Sequence, residues 1–418
     1  MVSNASQYGS HEKMSGCLYG FAQNGGLLVF SRTYGEFHQL PVPMVASLNG
    51  VHDYLAEEQT ELLSFEASGM VYVWRQCECL KFILVTNVIF PDGEKRDIAL
   101  LLDFVWLILV ASVGEKTLNA CQDVDVLRRY CAHSAQNIDV VMDAFLGCED
   151  FGLAISLGSA LFAFPSGPAN LRNAVDSFCA DLSISHCAIL INDRIAMLST
   201  GLSSFSSSDL ILLALNAVTT PTADIIFERP LFFPHFSPNL AYRLVVVRLA
   251  STVSVAFLAG ADFHLDATVQ GRIDAFWRNE VELVRRLVEL VPKYLPAAVE
   301  QQLPQSLLGL LLWNTESRRY LISPVWPAVT VERTKERRKD LIKFYRMVEY
   351  LLRKSAELKS PPVRDVYRNF EERKCYCICR GNYHLYAMFD AGEPQHSLRH
   401  ICEIILTLCT KRNSAQLL

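Results

Sequence analysis

The order of predicted strands and helices repeats three times along this chain, and this repetition restricts the fold more than any other feature. In the first pass, two strands flank the turn Asn24-Gly25-Gly26, whose residues tolerate positive φ. A helix, three more strands and two closing helices follow. The predicted ranges are 16–23, 27–30, 43–59, 61–66, 70–76, 80–86, 94–113 and 124–145.

Two later segments repeat this order without obviously repeating the residues. In the second, Asn192-Asp193 joins the first two strands, and Ser206 offers an N-cap oxygen to the next helix. In the third, a charged helix over 332–359 is stopped by Pro361-Pro362. A five-stranded, mainly antiparallel sheet flanked by helices satisfies each segment. The sequence therefore predicts an α/β (α+β) protein with three consecutive domains of one type.

Domain boundaries are predicted from turn-forming residues between the repeats. The stretch Pro165-Ser166-Gly167-Pro168 is typical of a connection. We predict a variable N-terminal tail over 1–15 and a linker over 149–170. The predicted domains cover 16–148, 171–296 and 305–412.

Charge and cysteine content limit the class of protein. The net charge is -5, so nothing indicates a nucleic-acid partner. The 13 cysteines are odd in number and irregularly spaced, which predicts reduced thiols and a cytoplasmic protein. The longest apolar run, 98–113, contains Asp103 and is too short to span a bilayer, so we expect a buried helix.

Two groups of residues are candidates for a chemical site. Cysteines alternate over 375–379 and face one side of a strand, but their spacing differs from that of zinc knuckles and favours the core. Ser47, His52 and Asp53 share one predicted helix, where their spacing does not produce a nucleophile–base–acid arrangement. We therefore expect no catalytic site, no metal and no cofactor.

The charged helix of the third segment is a candidate for binding anionic lipid. It carries ten Lys or Arg and five Asp or Glu residues, an excess of basic charge. The alternative is a solvated outer face, since interspersed acids are typical of exposed helices. The residues assigned to lipid binding are Arg333, Lys335, Arg337, Arg338 and Lys339.

The repeated unit resembles the longin domain, and three in a row resemble the tri-longin proteins that activate Rab-class GTPases. Short segments narrow the resemblance to the Fuzzy family of planar cell polarity proteins. They occur in order over nearly the whole chain. These segments are Gln39-Leu40-Pro41, Ser47 to His52, Phe145-Leu146-Gly147, Pro234-His235, Ser237-Pro238, Arg243-Leu244, Leu308 to Leu312, Leu341 to Val348 and Cys375-Tyr376.

The resemblance implies one subunit of a heterodimer with an Inturned-like tri-longin partner. Such a pair exchanges nucleotide on a Rab-class small GTPase and joins a Wdpcp-like partner in planar cell polarity and ciliogenesis. It further implies a location at the cytoskeleton, the cilium basal body and the polarised cell cortex. The alternatives are a non-catalytic scaffold or effector subunit, and a membrane-trafficking adaptor.

By analogy with other tri-longin activators, we expect the first domain to supply the surface for the partner and the GTPase. One polar stretch of its first helix contains poor helix formers, and a kinked core helix is the alternative explanation. The residues assigned to partner binding are Ser47, Leu48, Asn49, Gly50, Val51 and His52.

Overall fold

Three β-sheets with the same strand order organise the chain. This computed structural model describes residues 15–87, 95–163, 169–221, 225–260, 262–290, 302–323, 330–358, 364–370 and 372–410. In each unit the strands lie in the order second, first, fifth, fourth, third, and all of these pairs are antiparallel. The α+β class and the threefold repetition are confirmed.

The first unit follows the predicted order closely. Its elements are β1 (Gly16–Ala22), β2 (Leu28–Tyr34), α1 (Val42–Glu57), β3 (Ser64–Ala67), β4 (Met70–Cys77), β5 (Leu80–Thr86), α2 (Lys95–Val113), α3 (Glu115–Asn119) and α4 (Val124–Gly147). Helix α2 is largely buried, as expected for the longest apolar run. No helix in the described part of the chain combines the length and apolarity needed to cross a bilayer.

The segment after the first unit is folded and buried, which differs from the simple linker predicted over 149–170. It forms helix α5 (Asp150–Leu157) and a short strand β6 (Ala160–Leu161). All residues of α5 after the first are buried, so this helix lacks the polar face that periodicity detects. The predicted turn at 165–168 lies outside the described residues.

The second unit ends in two consecutive helices. Its elements are α6 (Ala169–Leu182), β7 (His186–Ile191), β8 (Arg194–Leu198), a 3₁₀ helix (Thr200–Ser204), α7 (Ser207–Val218), β9 (Ile226–Phe233), β10 (Ser237–Arg248), β11 (Val253–Ala259), α8 (Ala267–Asn279) and α9 (Val281–Leu290). Helix α8 has its C-cap at Glu280, and Val281, at the start of α9, is 64% exposed. Ser206 caps α7 as predicted, accepting from the Asp209 amide at 3.1 Å.

The third unit carries the longest helix. Its elements are β12 (Leu307–Asn314), β13 (Arg319–Ile322), α10 (Val331–Glu357), β14 (Asp365–Asn369), β15 (Arg373–Arg380), β16 (Tyr383–Asp390) and α11 (Gln395–Thr410). The Thr330 hydroxyl caps α10 by accepting from the Arg333 amide at 3.5 Å. The predicted stop at Pro361-Pro362 lies outside the described residues.

Strand β6 joins the second and third sheets at their equivalent edges. The Ala160 amide donates to the Arg318 carbonyl beside β13 at 3.1 Å, and β6 pairs with β13 in parallel. Three residues later, the Ala163 amide donates to the Ile195 carbonyl of β8 at 2.8 Å. The two sheets are therefore linked through main-chain hydrogen bonds to one short segment.

Apolar packing makes the three units one body. One core cluster contains residues of all three units and of α5, including Leu102, Leu153, Leu212 and Tyr345. A second cluster is shared by the second and third units. A third, smaller cluster lies between the first sheet and α1 and includes Val45. Helix α1 thus covers one sheet face of the first unit.

Candidate protein-interaction surface

Helix α1 lies over an aromatic face of the first sheet. It begins after Pro41, and its buried positions are Val45, Asn49 and His52. The His52 ring stacks on Trp74 with ring centroids 6.4 Å apart and an interplanar angle of 11°. Burial lowers the pKa of His52, and the positive charge of Lys81 lowers it further. The imidazole is therefore a neutral packing group in the core of this unit.

The opposite side of α1 exposes large apolar side chains. Met44 is 43% exposed, Val51 51% and Tyr54 62%. They recur at helical spacing with Ser47, so they share one outward side of the helix. Contiguous exposed apolar groups on a folded protein are typical of protein-binding surfaces. We call Met44, Ser47, Gly50, Val51 and Tyr54 the α1 surface.

Gly50 leaves the middle of this surface open. A Cβ built at this position has no neighbouring atom within 4 Å. Glycine in a helix interior costs about 1 kcal/mol relative to alanine. No contact within the described chain requires its small size, whereas close approach of another backbone would.

A buried lysine explains the polar residues beneath α1. Lys81 of β5 is buried, and its ammonium group donates to Asn49 Oδ1 at 3.1 Å and pairs with Asp53. Asn49 in turn donates to Asp53 Oδ2 at 3.1 Å. A buried charge needs such partners, because an unpaired one carries a large desolvation cost. The polarity of this stretch of α1 therefore has an internal structural cause.

The structure divides the six residues assigned to partner binding. Ser47, Gly50 and Val51 are exposed, and Leu48 is half-buried. Asn49 and His52 are buried in the first unit. Sequence reasoning missed Met44 and Tyr54, because α1 carries apolar residues on both sides. Partner binding by this segment stays a prediction, now concentrated on its outward residues.

Ser47, His52 and Asp53, the candidates for a hydrolytic site, make separate contacts in the structure. The Ser47 hydroxyl donates to the Pro43 carbonyl at 2.9 Å, while His52 faces the core. His52 Nδ1 lies 3.7 Å from Asp53 Oδ1. Ser47 thus uses its hydroxyl proton within the helix, and the structure does not bring the three groups together as a nucleophile, base and acid.

The five residues assigned to lipid binding differ in exposure. Arg333 and Lys335 are exposed on α10, and the other three are half-buried. Arg338 donates to the Cys148 carbonyl at 3.2 Å and pairs with Asp150. Lipid binding stays a prediction, and Arg338 is engaged within the chain.

Comparison with known families agrees with this architecture. Family models described as the first, second and third longin domains of FUZ, MON1 and HPS1 match residues 17–141, 182–273 and 306–413. The three matches lie in order on the three units. The chain therefore belongs to the three-longin family of FUZ, MON1 and HPS1.

Within that family the similarity is to the Fuzzy proteins, which confirms the resemblance seen in the sequence. The chain is 24% identical over 352 residues to the protein fuzzy homolog of Homo sapiens, covering 81% of this chain and 79% of the relative. It is 23% identical over 414 residues to the protein fuzzy homolog of Xenopus tropicalis, covering 93% and 96% respectively.

Proposed function

We propose that this chain is one subunit of a heterodimeric, Inturned–Fuzzy type guanine-nucleotide exchange factor for a Rab-class small GTPase. Its partner is an Inturned-like tri-longin protein, and a Wdpcp-like protein joins the assembly. The proposed roles are in planar cell polarity and ciliogenesis, at the basal body and the polarised cell cortex. Membership of the three-longin family and similarity to the Fuzzy proteins support this proposal.

The α1 surface is the single observation that carries the binding part of the proposal. Its exposed Met44, Val51 and Tyr54 lie on the helix that covers one side of the first sheet. Apolar side chains of this size gain free energy when a partner removes them from water, at about 25 cal/mol per Å². A protein partner of complementary apolar shape is the occupant that this chemistry favours.

Exchange by such a complex needs no acid, base or nucleophile. An exchange factor accelerates nucleotide release by binding the nucleotide-free or distorted GTPase better than the loaded form. The switch loops then leave the phosphates and Mg²⁺ that hold them. We infer that this chain contributes shape and apolar surface to that state, not catalytic residues of its own.

The test is release of labelled GDP from a panel of Rab-class GTPases, with this chain alone and co-purified with an Inturned-like partner. We expect acceleration on a particular GTPase only when both subunits are present. Stable GTP-dependent binding without acceleration would replace the exchange proposal with an effector scaffold.

A matched pair of variants tests whether partner binding depends on the α1 surface in particular or on exposed apolar side chains in general. Val51→Glu places a charge on the α1 surface, whereas Val281→Glu changes another exposed helical valine, on α9. We expect Val51→Glu to weaken partner binding at least about tenfold, since an unpaired buried charge is costly at an interface. Val281→Glu should bind as the parent does. Equal binding by both variants would remove the α1 surface from the proposal.

A further inference from the structure

The hairpin of β15 and β16 brings a cysteine and a histidine together near its turn. Cys379 and His384 are directly opposed across the two strands. Side chains at such opposed positions have Cβ atoms about 5 Å apart and contact each other. Cys379 is half-buried, so a small reagent reaches it, whereas Cys377 on the same face is fully buried.

Helix α10 supplies a carboxylate that holds the histidine. His384 Nδ1 lies 3.3 Å from Glu349 Oε1 and 3.4 Å from the Tyr386 hydroxyl, which itself donates to Glu349. Trp313 packs edge-on against the imidazole, with ring centroids 5.4 Å apart. The ring therefore interacts with both the Glu349 carboxylate and the Cys379 thiol, each of which hydrogen-bonds with it.

These neighbours favour a thiolate and an imidazolium. A hydrogen bond from the Cys377 thiol, whose sulfur lies 3.9 Å away, lowers the pKa of Cys379; burial opposes it, and His384 adds to the lowering, giving about 6. Burial disfavours a charged His384, but Cys379 and Glu349 outweigh burial and raise its pKa to about 9. At neutral pH these shifts favour a thiolate at Cys379 beside an imidazolium at His384.

The first unit contains a second Cys-x-Cys sequence without a histidine. Cys77 and Cys79 are half-buried at the β4–β5 turn. Burial is the largest cause of their raised pKa values, which are about 12 for Cys77 and about 11 for Cys79. The two motifs therefore share the Cys-x-Cys spacing, a place near a hairpin turn and a half-buried second cysteine, but Cys79 lies in the turn itself, whereas Cys379 lies in β15 opposite an imidazole.

We propose that Cys379 is a nucleophilic modification site that reacts with hydroperoxides, with His384 as its proton donor and Glu349 as the residue that positions His384. The Cys379 thiolate attacks one peroxide oxygen, so an S–O bond forms while the O–O bond breaks. Sulfur gives up two electrons and becomes a sulfenic acid, and the peroxide is reduced. With hydrogen peroxide, the leaving hydroxide takes the proton of the His384 imidazolium and departs as water.

The experiment compares the two motifs within one molecule. The full chain is treated with hydrogen peroxide at pH 7 in the presence of a 1,3-dione that traps sulfenic acid, and peptides are quantified by mass spectrometry. The higher thiolate fraction of Cys379 outweighs its lower intrinsic nucleophilicity, so we expect about 50-fold faster trapping at Cys379 than at Cys79. Equal trapping at the two cysteines, or none at Cys379, overturns the proposal without any variant.

Variants then assign the role of the imidazole. His384→Gln should slow trapping at Cys379 at least about tenfold, because the leaving hydroxide loses its proton donor, and should move the pH midpoint of alkylation by iodoacetamide upward from near 6. Cys79→Ser, the matched control in the other motif, should leave both quantities unchanged. A His384→Gln chain that melts like the parent and keeps the parent midpoint would exclude the imidazole as the activating group.

Discussion

At the scale of single residues, two helical glycines occupy opposite environments. Gly50 faces open space on α1. Gly152 on α5 packs against α4, where an added Cβ would lie 2.4 Å from Phe145 Cα and 2.6 Å from the Ala144 carbonyl oxygen. Backbone atoms cannot give way as a flexible side chain does, so Gly152 sets the spacing of these two helices.

Alanine at the two glycines should therefore have opposite effects. We expect Gly50→Ala to raise the free energy of unfolding by about 1 kcal/mol, through helix propensity and lower unfolded-chain entropy. We expect Gly152→Ala to lower it by about 1–3 kcal/mol through overpacking. Urea unfolding followed by circular dichroism measures both. If Gly50→Ala lowered the free energy of unfolding, the added methyl group would have to meet other atoms of the chain, which would contradict this expectation.

His186 should give the chain an acid-sensitive component. Its imidazole packs against Phe205, Phe236 and Tyr242, and burial lowers its pKa from the usual value near 6.5. The unfolded chain therefore binds this proton at a higher pH than the folded chain. The associated stability is present above pH 6.5 and is lost as the pH falls through the lower folded pKa.

The variant that tests this is His186→Phe, with the exposed His264→Phe as its control. Between pH 7 and pH 5 we expect His186→Phe to lose less unfolding free energy than the parent, since it has no proton to gain. His264→Phe should follow the parent curve. Parallel curves for His186→Phe and the parent would rule out this linkage.

At the scale of elements, the charge pattern of α10 predicts its exposed side but not its ion pairs with distant residues. Its interspersed charges are typical of a solvated helix, and on its inner side Leu341, Tyr345 and Val348 are buried and Leu352 is half-buried. However, several of its charged residues, on both the basic and the acidic side, pair with groups in other parts of the fold. Among these pairs are Arg338 with Asp150, Asp340 with Arg373, and Arg346 with Asp97. No short window of sequence contains both members of such a pair, so the periodicity could not reveal them.

The Arg346–Asp97 pair should be the most sensitive of these contacts. Its nitrogen and oxygen lie 3.3 Å apart, and the side chains are only 3% and 6% exposed. Arg346→Met leaves the Asp97 carboxyl buried without its charge partner, which typically costs 3–5 kcal/mol. Lys343→Met, at an exposed position of the same helix, should change stability by less than about 0.5 kcal/mol. Equal unfolding free energies for the two variants would contradict this.

Lipid binding by α10 is testable at its two exposed basic residues. We expect weak binding to anionic vesicles that falls as salt rises, because each basic residue near the surface contributes about 1 kcal/mol and is screened. Arg333→Glu with Lys335→Glu should abolish sedimentation with vesicles. Lys116→Glu, an exposed change in the first unit, is the control. Vesicle binding that does not depend on salt concentration, or that the double variant retains, would contradict the prediction.

At the scale of the whole molecule, the element order was predictable and the joining of the units was not. The density of β-branched and aromatic residues predicted a strand over 80–86, which are the observed bounds of β5. Strand β6 has only two residues, too few to show an alternating pattern. The preceding helix α5 is buried on all sides, so its sequence shows no polar face. Likewise, the outward side of α1 became clear only once the sheet beneath it was known.

Asp150 should control how cooperatively the second and third units unfold. Its carboxylate pairs with Arg194 of β8 at 2.9 Å and with Arg338 of α10, and its carbonyl accepts from the Tyr320 hydroxyl at 2.9 Å. Asp150→Asn removes the charge shared by two guanidinium groups, so we expect a loss of at least about 3 kcal/mol. Calorimetry should show a broadened or split transition. The exposed Asp125→Asn should not, and a single unchanged transition for Asp150→Asn would refute the expectation.

The position of β6 has a practical consequence for dissecting the chain. A fragment that starts at residue 171, where turn-forming residues suggest a boundary, would lack the strand that lies between β8 and β13. Both strands would then be exposed edge strands with unpaired amide and carbonyl groups. Such edges can pair with strands of other molecules and cause aggregation. A fragment that starts before Glu149 keeps this cover on both edges. A fragment that contains the second and third units with both edges covered therefore begins earlier in the chain than the boundary that the turn-forming residues indicate.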